Sequence, residues 1–263
     1  METLALLAVV GVALVSTAVG VRLLLVSRRT RGFPEFVLGL SLAAITGIGF
    51  PIVLLTELRE VIGPVLTFAV DLVGSFVVTI GFVGFYVFTW RVFRPDSRSA
   101  AAFTVLGAGA ALVATAATVW LAYGIESSEQ KFSIVRGWEI LLFTSAAAGF
   151  LWSAIEALRY HSMLRRRLVL GLADGVVTNR ILLWGLTGAS AGAALVILTL
   201  LRLADVNYMS APVALFTAAA CGLLASVFLY LAFLPPAAYL RWLKQGSPSG
   251  DVAESSPTSP NSG

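Results

Sequence analysis

The sequence predicts an all-α integral membrane protein, a bundle of seven transmembrane helices with the N-terminus outside and the C-terminus inside. Three observations predict it. Hydrophobic residues make up 58% of the 263 and charged residues 12%, with a mean hydropathy of +0.91, where soluble domains carry about 25% charged residues. Seven charge-poor stretches are long enough to cross a hydrocarbon core of about 30 Å, which takes roughly 20 helical residues. The cations fall almost wholly on one side of those stretches.

The spans lie at about 3–26, 34–56, 64–91, 99–124, 135–158, 179–203 and 212–241, forming one domain over 1–245. The first rests on the charge-free run Thr3 to Val21. The second opens at Pro34 and Glu35, where a proline is tolerated and a carboxylate suits the positive helix end. The third, Leu72 to Trp90, follows Asp71, and the fourth covers Ser99 to Ile125. The fifth has the shortest charge-free core, Ile140 to Ile155, and draws on Trp138 and Glu139 to extend outward. The sixth is Ile181 to Leu201, with Thr178 or Asn179 as its expected cap, and the seventh opens at Pro212. No stretch of about ten residues alternates with period two, the pattern of an outer-membrane barrel. Met-Glu-Thr at the start lacks the basic n-region of a cleaved signal peptide, so the first span is expected to be retained. Residues 246–263, rich in Ser, Pro and Gly, are expected to form a disordered cytoplasmic tail followed by no further module. Loops are expected to be short, except after Gly124 and from Tyr160 to Asn179.

Threading seven spans places 14 cations on one side and 4 on the other (Arg59, Lys131, Arg136 and Arg202). Cytoplasmic loops retain positive charge, so the 14 are assigned to the inside. Of the 18 cations, 16 are Arg and only Lys131 and Lys244 are Lys. With so much Ala, Val and Gly, this suggests GC-rich bacterial coding and hence the bacterial cytoplasmic membrane. The net charge of +4 is therefore read as a topology signal rather than as a nucleic-acid footprint.

Composition also excludes chemistry. One cysteine, Cys221, and one histidine, His161, allow no intrachain disulfide, no Cys/His zinc site and no bis-histidine haem. The seventh span has no lysine for a retinal Schiff base. The histidines of membrane zinc hydrolases, the Gly-x-Ser-Gly of rhomboid proteases and the paired aspartates of aspartyl intramembrane proteases are missing, as are a P-loop and a Gly-x-Gly-x-x-Gly. No catalytic group, metal or cofactor is assigned. The span middles carry Ser75, Thr79, Thr115, Thr118 and Ser145 but no central charge, which argues against ion-coupled transport.

Ionisable groups at membrane depth are costly and usually functional. Asp71, Arg136, Glu139, Arg202 and Asp205 sit toward the outer span ends with Trp120, Tyr123, Trp138 and Tyr208. Arg136 with Glu139, and Arg202 with Asp205, are each three apart and can share a helix face. Asp71, Arg136, Trp138, Glu139, Arg202 and Asp205 are the candidate outer ligand cavity; interfacial ion pairs within an aromatic belt are the alternative. Glu156 is expected to pair with Arg159 one turn on. At the inner side, Arg165, Arg166, Arg167, Asp174, Asn179 and Arg180 form a candidate docking surface for a cytoplasmic protein or anionic lipid heads. Pro235 and Pro236 are a candidate hinge. Gly47, Gly49, Gly81, Gly84, Gly107 and Gly109, with the Gly188 to Gly192 GxxxG, offer faces for packing within the bundle or for a homo-oligomer.

Pro236-Ala-Ala-Tyr239 resembles in spacing the end of the seventh helix of rhodopsin-like receptors. Pro235 stands where those receptors carry Asn, and Trp90 where they carry an acidic residue before Arg91. The resemblance is one of topology and transfers no residue role. It accompanies the leading expectation, a receptor-like protein sensing a small ligand outside and signalling through a separate cytoplasmic partner. A small-solute or lipid transporter and a structural subunit of a membrane complex are the alternatives.

Overall fold

A computed structural model describes residues 2–123, 125, 128–206 and 211–245. The proposed tail 246–263 and the rim residue Tyr208 lie outside the described residues. Every described element is helical: α1 (Glu2–Thr30), α2 (Phe33–Leu42), a π-helical segment (Ala43–Gly49), α3 (Phe50–Leu54), a 3-10 turn (Leu55–Leu58), α4 (Arg59–Ile62), α5 (Pro64–Phe93), α6 (Arg98–Ala122), α7 (Ser128–Val169), α8 (Gly175–Leu203), α9 (Pro212–Phe233) and α10 (Ala237–Gln245). Seven segments are long and apolar enough to span a bilayer: α1, the α2-to-α3 stretch, α5, α6, α7, α8 and α9.

Each span packs on its sequence neighbours, and α1 packs against α9, so the seven close into a ring, with α5 also touching α7. An apolar core joins six of them, α6 contributing none of its described residues to it. Trp184 of α8 stacks on Phe85 with ring centroids 5.9 Å apart and meets Phe88 and Phe233 edge-on. Val19 and Leu23 of α1, Leu38 and Leu42 of α2, Ala157 of α7 and Leu229 of α9 complete the cluster. The indole nitrogen of Trp184 donates to Ser153 Oγ at 3.2 Å, so its polar atom is satisfied inside the apolar packing.

The second span is not a plain helix. Pro51 has no N–H, and its ring would press on the carbonyl four residues back. A wide turn relieves this: the Phe50 N–H bonds Ile45 O, five residues back. Gly49 packs against Val78 of α5, where an added Cβ would sit only 2.8 Å from the Val78 backbone nitrogen.

Three further boundaries differ from expectation. The fifth span, expected over 135–158 and followed by a loop, is one helix of 42 residues running to Val169, so Arg165, Arg166 and Arg167 are helical. Gly171, at φ 69°, stops it: Leu172 N donates to Arg167 O at 2.9 Å and Gly171 N to Leu168 O at 3.0 Å, the paired bonds of a glycine C-cap. The sixth span starts at Gly175 rather than 179, and its cap is Asp174, not Thr178 or Asn179. The Asp174 carboxylate accepts from Val176 N at 2.6 Å and Val177 N at 3.1 Å. The seventh span, expected to reach 241, ends at Phe233; Pro235 and Pro236 lie in the break before the short amphipathic α10.

Candidate functional site

The α7–α8 hairpin gathers most of the predicted charged residues. At the end opposite the arginine-rich one, four of them close a clamp between the helices. The ion pairs are not those that spacing suggests. Arg136 reaches across to Asp205 at 2.9 Å, and Arg202 reaches across to Glu139, so each pair joins two helices instead of stapling one.

Backbone geometry explains the exchange. α8 ends with Val206 N bonding Leu201 O and Asp205 N bonding Arg202 O, and this cap needs a left-handed residue at Asp205, φ 60°. The turn lifts Asp205 off the helix face it would share with Arg202. Arg136 fills the space: its Nε donates to Arg202 O and its second terminal nitrogen to Leu203 O, both at 2.8 Å. A guanidinium thus satisfies last-turn carbonyls and neutralises the negative end of α8. Arg202 is 3% exposed and lies over the Phe132 ring at 3.9 Å, a cation–π contact no charge pattern revealed.

The remaining outer candidates do not join the clamp. Asp71 accepts the Ser75 hydroxyl on its own helix at 3.1 Å. Trp138 is half-buried. Trp120 is 73% exposed, as expected of an interfacial belt, and Tyr123 packs on Phe68 at 4.4 Å.

At the arginine-rich end, Glu156 is buried and pairs with two arginines: it accepts from Arg94 Nε at 3.0 Å and forms an ion pair with Arg159 at 3.5 Å. The second is the pair that spacing indicates. The first, from the α5–α6 turn, has no sequence signature, because it links residues far apart in the chain. His161 Nδ1 lies 3.0 Å from Thr178 O; a carbonyl can only accept, so Nδ1 carries the proton. Asn179 Nδ2 donates to Tyr239 Oη at 2.8 Å, tying α8 to α10. Arg165, Arg166, Arg167, Asp174 and Arg180 are exposed around this same end.

Clefts open on both sides of the Glu156 ion pairs. One, of about 500 Å3, lies between the start of α6 and the face of α7 that carries Trp152 and Glu156. Another, of about 420 Å3, lies on the other side of Arg94, Glu156 and Arg159, against Phe93, Tyr160 and Ile181. A further one, of about 310 Å3, lies within the ring between Arg22, Glu35, Arg180 and the aromatic side chains Phe88, Trp184 and Phe233.

Most deep hydroxyls close on one another or on the backbone, whereas Thr118 Oγ1 is buried without a hydrogen-bond partner among the described residues. Thr79 and Thr115 pair at 2.7 Å between α5 and α6, and Tyr86 donates to Ser145 O at 2.6 Å. The GxxxG seam is used within the chain: a Cβ on Gly188 would sit 2.9 Å from Phe150 O, and one on Gly192 2.7 Å from Leu151. No protein-family model matches this chain, and comparison with characterised proteins and with solved structures finds no match.

Proposed function

We propose that this is a receptor-like membrane protein of the bacterial cytoplasmic membrane, with its arginine-rich end inside. In this reading a small charged ligand acts at the outer α7–α8 clamp, and a separate cytoplasmic partner reads the inner end of α7. One observation carries the reading. α7 is continuous from Arg136 and Glu139 to Arg165, Arg166 and Arg167. Its 42 residues make a rod of about 63 Å, roughly twice a hydrocarbon core. A change in how its outer end is held is therefore a change in where its exposed basic end points.

The clamp supplies the differential interaction such coupling needs. A ligand moves a two-state equilibrium only by binding one state better. A charged ligand that takes one partner of Arg136–Asp205 or Arg202–Glu139 leaves the other free and alters the α7–α8 fit. The Asn179–Tyr239 bond extends that fit to α10.

The test uses full-length protein in lipid nanodiscs, in a Cys221→Ala background. Spin labels at Arg31→Cys and Arg166→Cys report the position of the α7 end by electron–electron distance. With Arg136→Ala added, the distance distribution shifts by about 2 Å or more, the scale of helix displacements in switching bundles. Superimposable distributions would contradict the coupling.

A further inference from the structure

The cleft between α6 and α7 has the anatomy of a lipid site. We propose that it holds one anionic phospholipid, its phosphate at Arg94 and Arg159 and one acyl chain against Phe103 and Trp152. This goes beyond the sensing reading and stands independently of it.

The mouth is polar and cationic. Arg94, Arg159, Ser97 and Ser99 line it with the carboxylate of Glu156, two positive charges against one negative, a surplus of +1. Glu156 does not simply cancel the arginines. It engages Arg94 through Nε, which points the planar guanidinium and leaves its terminal nitrogens for a second anion. Forked donors of this kind suit phosphate oxygens. The hydroxyls of Ser97 and Ser99 lie 2.9 Å apart at the same level.

The walls below the mouth are apolar and rigid. Phe103 packs on Trp152 at 5.1 Å and on Tyr86 at 5.7 Å, and Tyr86 is pinned by its bond to Ser145 O. From Trp152 to Arg159 the helix rises about 10 Å, which spaces a headgroup phosphate from the upper part of an acyl chain. Phe103 and Ile155 are 41% and 48% exposed, so the cleft opens sideways at a depth where the neighbour is hydrocarbon. A free inorganic anion would fill the mouth and leave those walls uncovered. A lipid covers both. At about 500 Å3 the cleft falls within the usual range for small-molecule sites, roughly 300–1,000 Å3.

The experiment is native mass spectrometry of the full chain released from detergent after incubation with dioleoyl phosphatidylglycerol, dioleoyl phosphatidylcholine or inorganic phosphate. The expected result is one retained phosphatidylglycerol per chain, at least tenfold more than phosphatidylcholine, and no retained phosphate. Arg94→Gln with Arg159→Gln lowers retention at least tenfold. Arg165→Gln, Arg166→Gln and Arg167→Gln together leave it unchanged, since they lie beyond the cleft. Ala148→Phe, which fills the apolar wall with every charge in place, also abolishes retention and decides the matter if the arginine variant fails to fold. Equal retention of the two lipids, retention of phosphate alone, retention that survives Ala148→Phe, or loss on neutralising the Arg165 to Arg167 triplet would each overturn the proposal.

Discussion

Glu139→Ala is the sharpest probe of the clamp. The substitution strips the counter-charge from Arg202, whose side chain is 4% exposed. Breaking a buried ion pair from one side costs about 3–5 kcal/mol, because the remaining charge stays desolvated. Two features lower the figure here. The Phe132 ring still faces the guanidinium, a contact worth up to about 2 kcal/mol when desolvated. Arg202 also lies in the last turn of α8, where a long side chain can bend its head toward water. The expected loss is therefore about 2–3 kcal/mol, below the usual cost of breaking a buried pair. Replacing both partners, Glu139→Leu with Arg202→Met, removes two charges at once and should cost less than Glu139→Ala alone. Reversible unfolding in mixed micelles, followed by tryptophan fluorescence, gives both values and their coupling. A Glu139→Ala loss under about 0.5 kcal/mol, in the range of an ordinary surface substitution, would refute the reasoning. So would a double variant less stable than the single one.

Other predictions follow from the same hairpin and its neighbours. Asp174→Ala removes the cap of α8 and should cost about 1 kcal/mol in the same unfolding assay, whereas Asp174→Asn, still a good cap, should cost much less. Gly188→Ala drives a methyl against the Phe150 carbonyl and should cost about 1–3 kcal/mol. Gly137→Ala, where a Cβ meets nothing within 4 Å, should be neutral or slightly stabilising. Thr79→Val breaks the hydroxyl pair with Thr115 and should cost only about 0.6 kcal/mol, the mean for such bonds between membrane helices.

What the sequence made legible was what depends on local composition. Span number follows from apolar runs, and helix starts at Pro34 and Pro212 follow from a residue without an N–H. The candidate clamp residues were legible as types at a depth, because charge near the hydrocarbon is rare enough to stand out. Their pairing was not. Spacing suggested Arg136 with Glu139, but the left-handed turn at Asp205 and the depth of Arg202 decided otherwise, and both depend on how α8 ends against α7. The run from Arg165 to Arg167 looked like a loop because its charges end the apolar stretch. Charge ends a membrane span without ending a helix, and only Gly171 does that. Arg94 was invisible as the partner of Glu156, since it lies on the other side of α6 in the chain. The π-helical turn before Pro51 left a trace in the Gly47, Gly49 and Pro51 cluster, which reads equally as packing.

The claim on which sensing and partner docking rest is that the arginine-rich helix ends share the cytoplasmic side. Single cysteines at Arg29, Arg166 and Glu60, in a Cys221→Ala background, can be challenged with a membrane-impermeant maleimide on intact and on permeabilised cells. The account predicts labelling of position 60 in intact cells, and of positions 29 and 166 only after permeabilisation. Labelling that puts positions 29 and 166 on opposite faces of the membrane would contradict it.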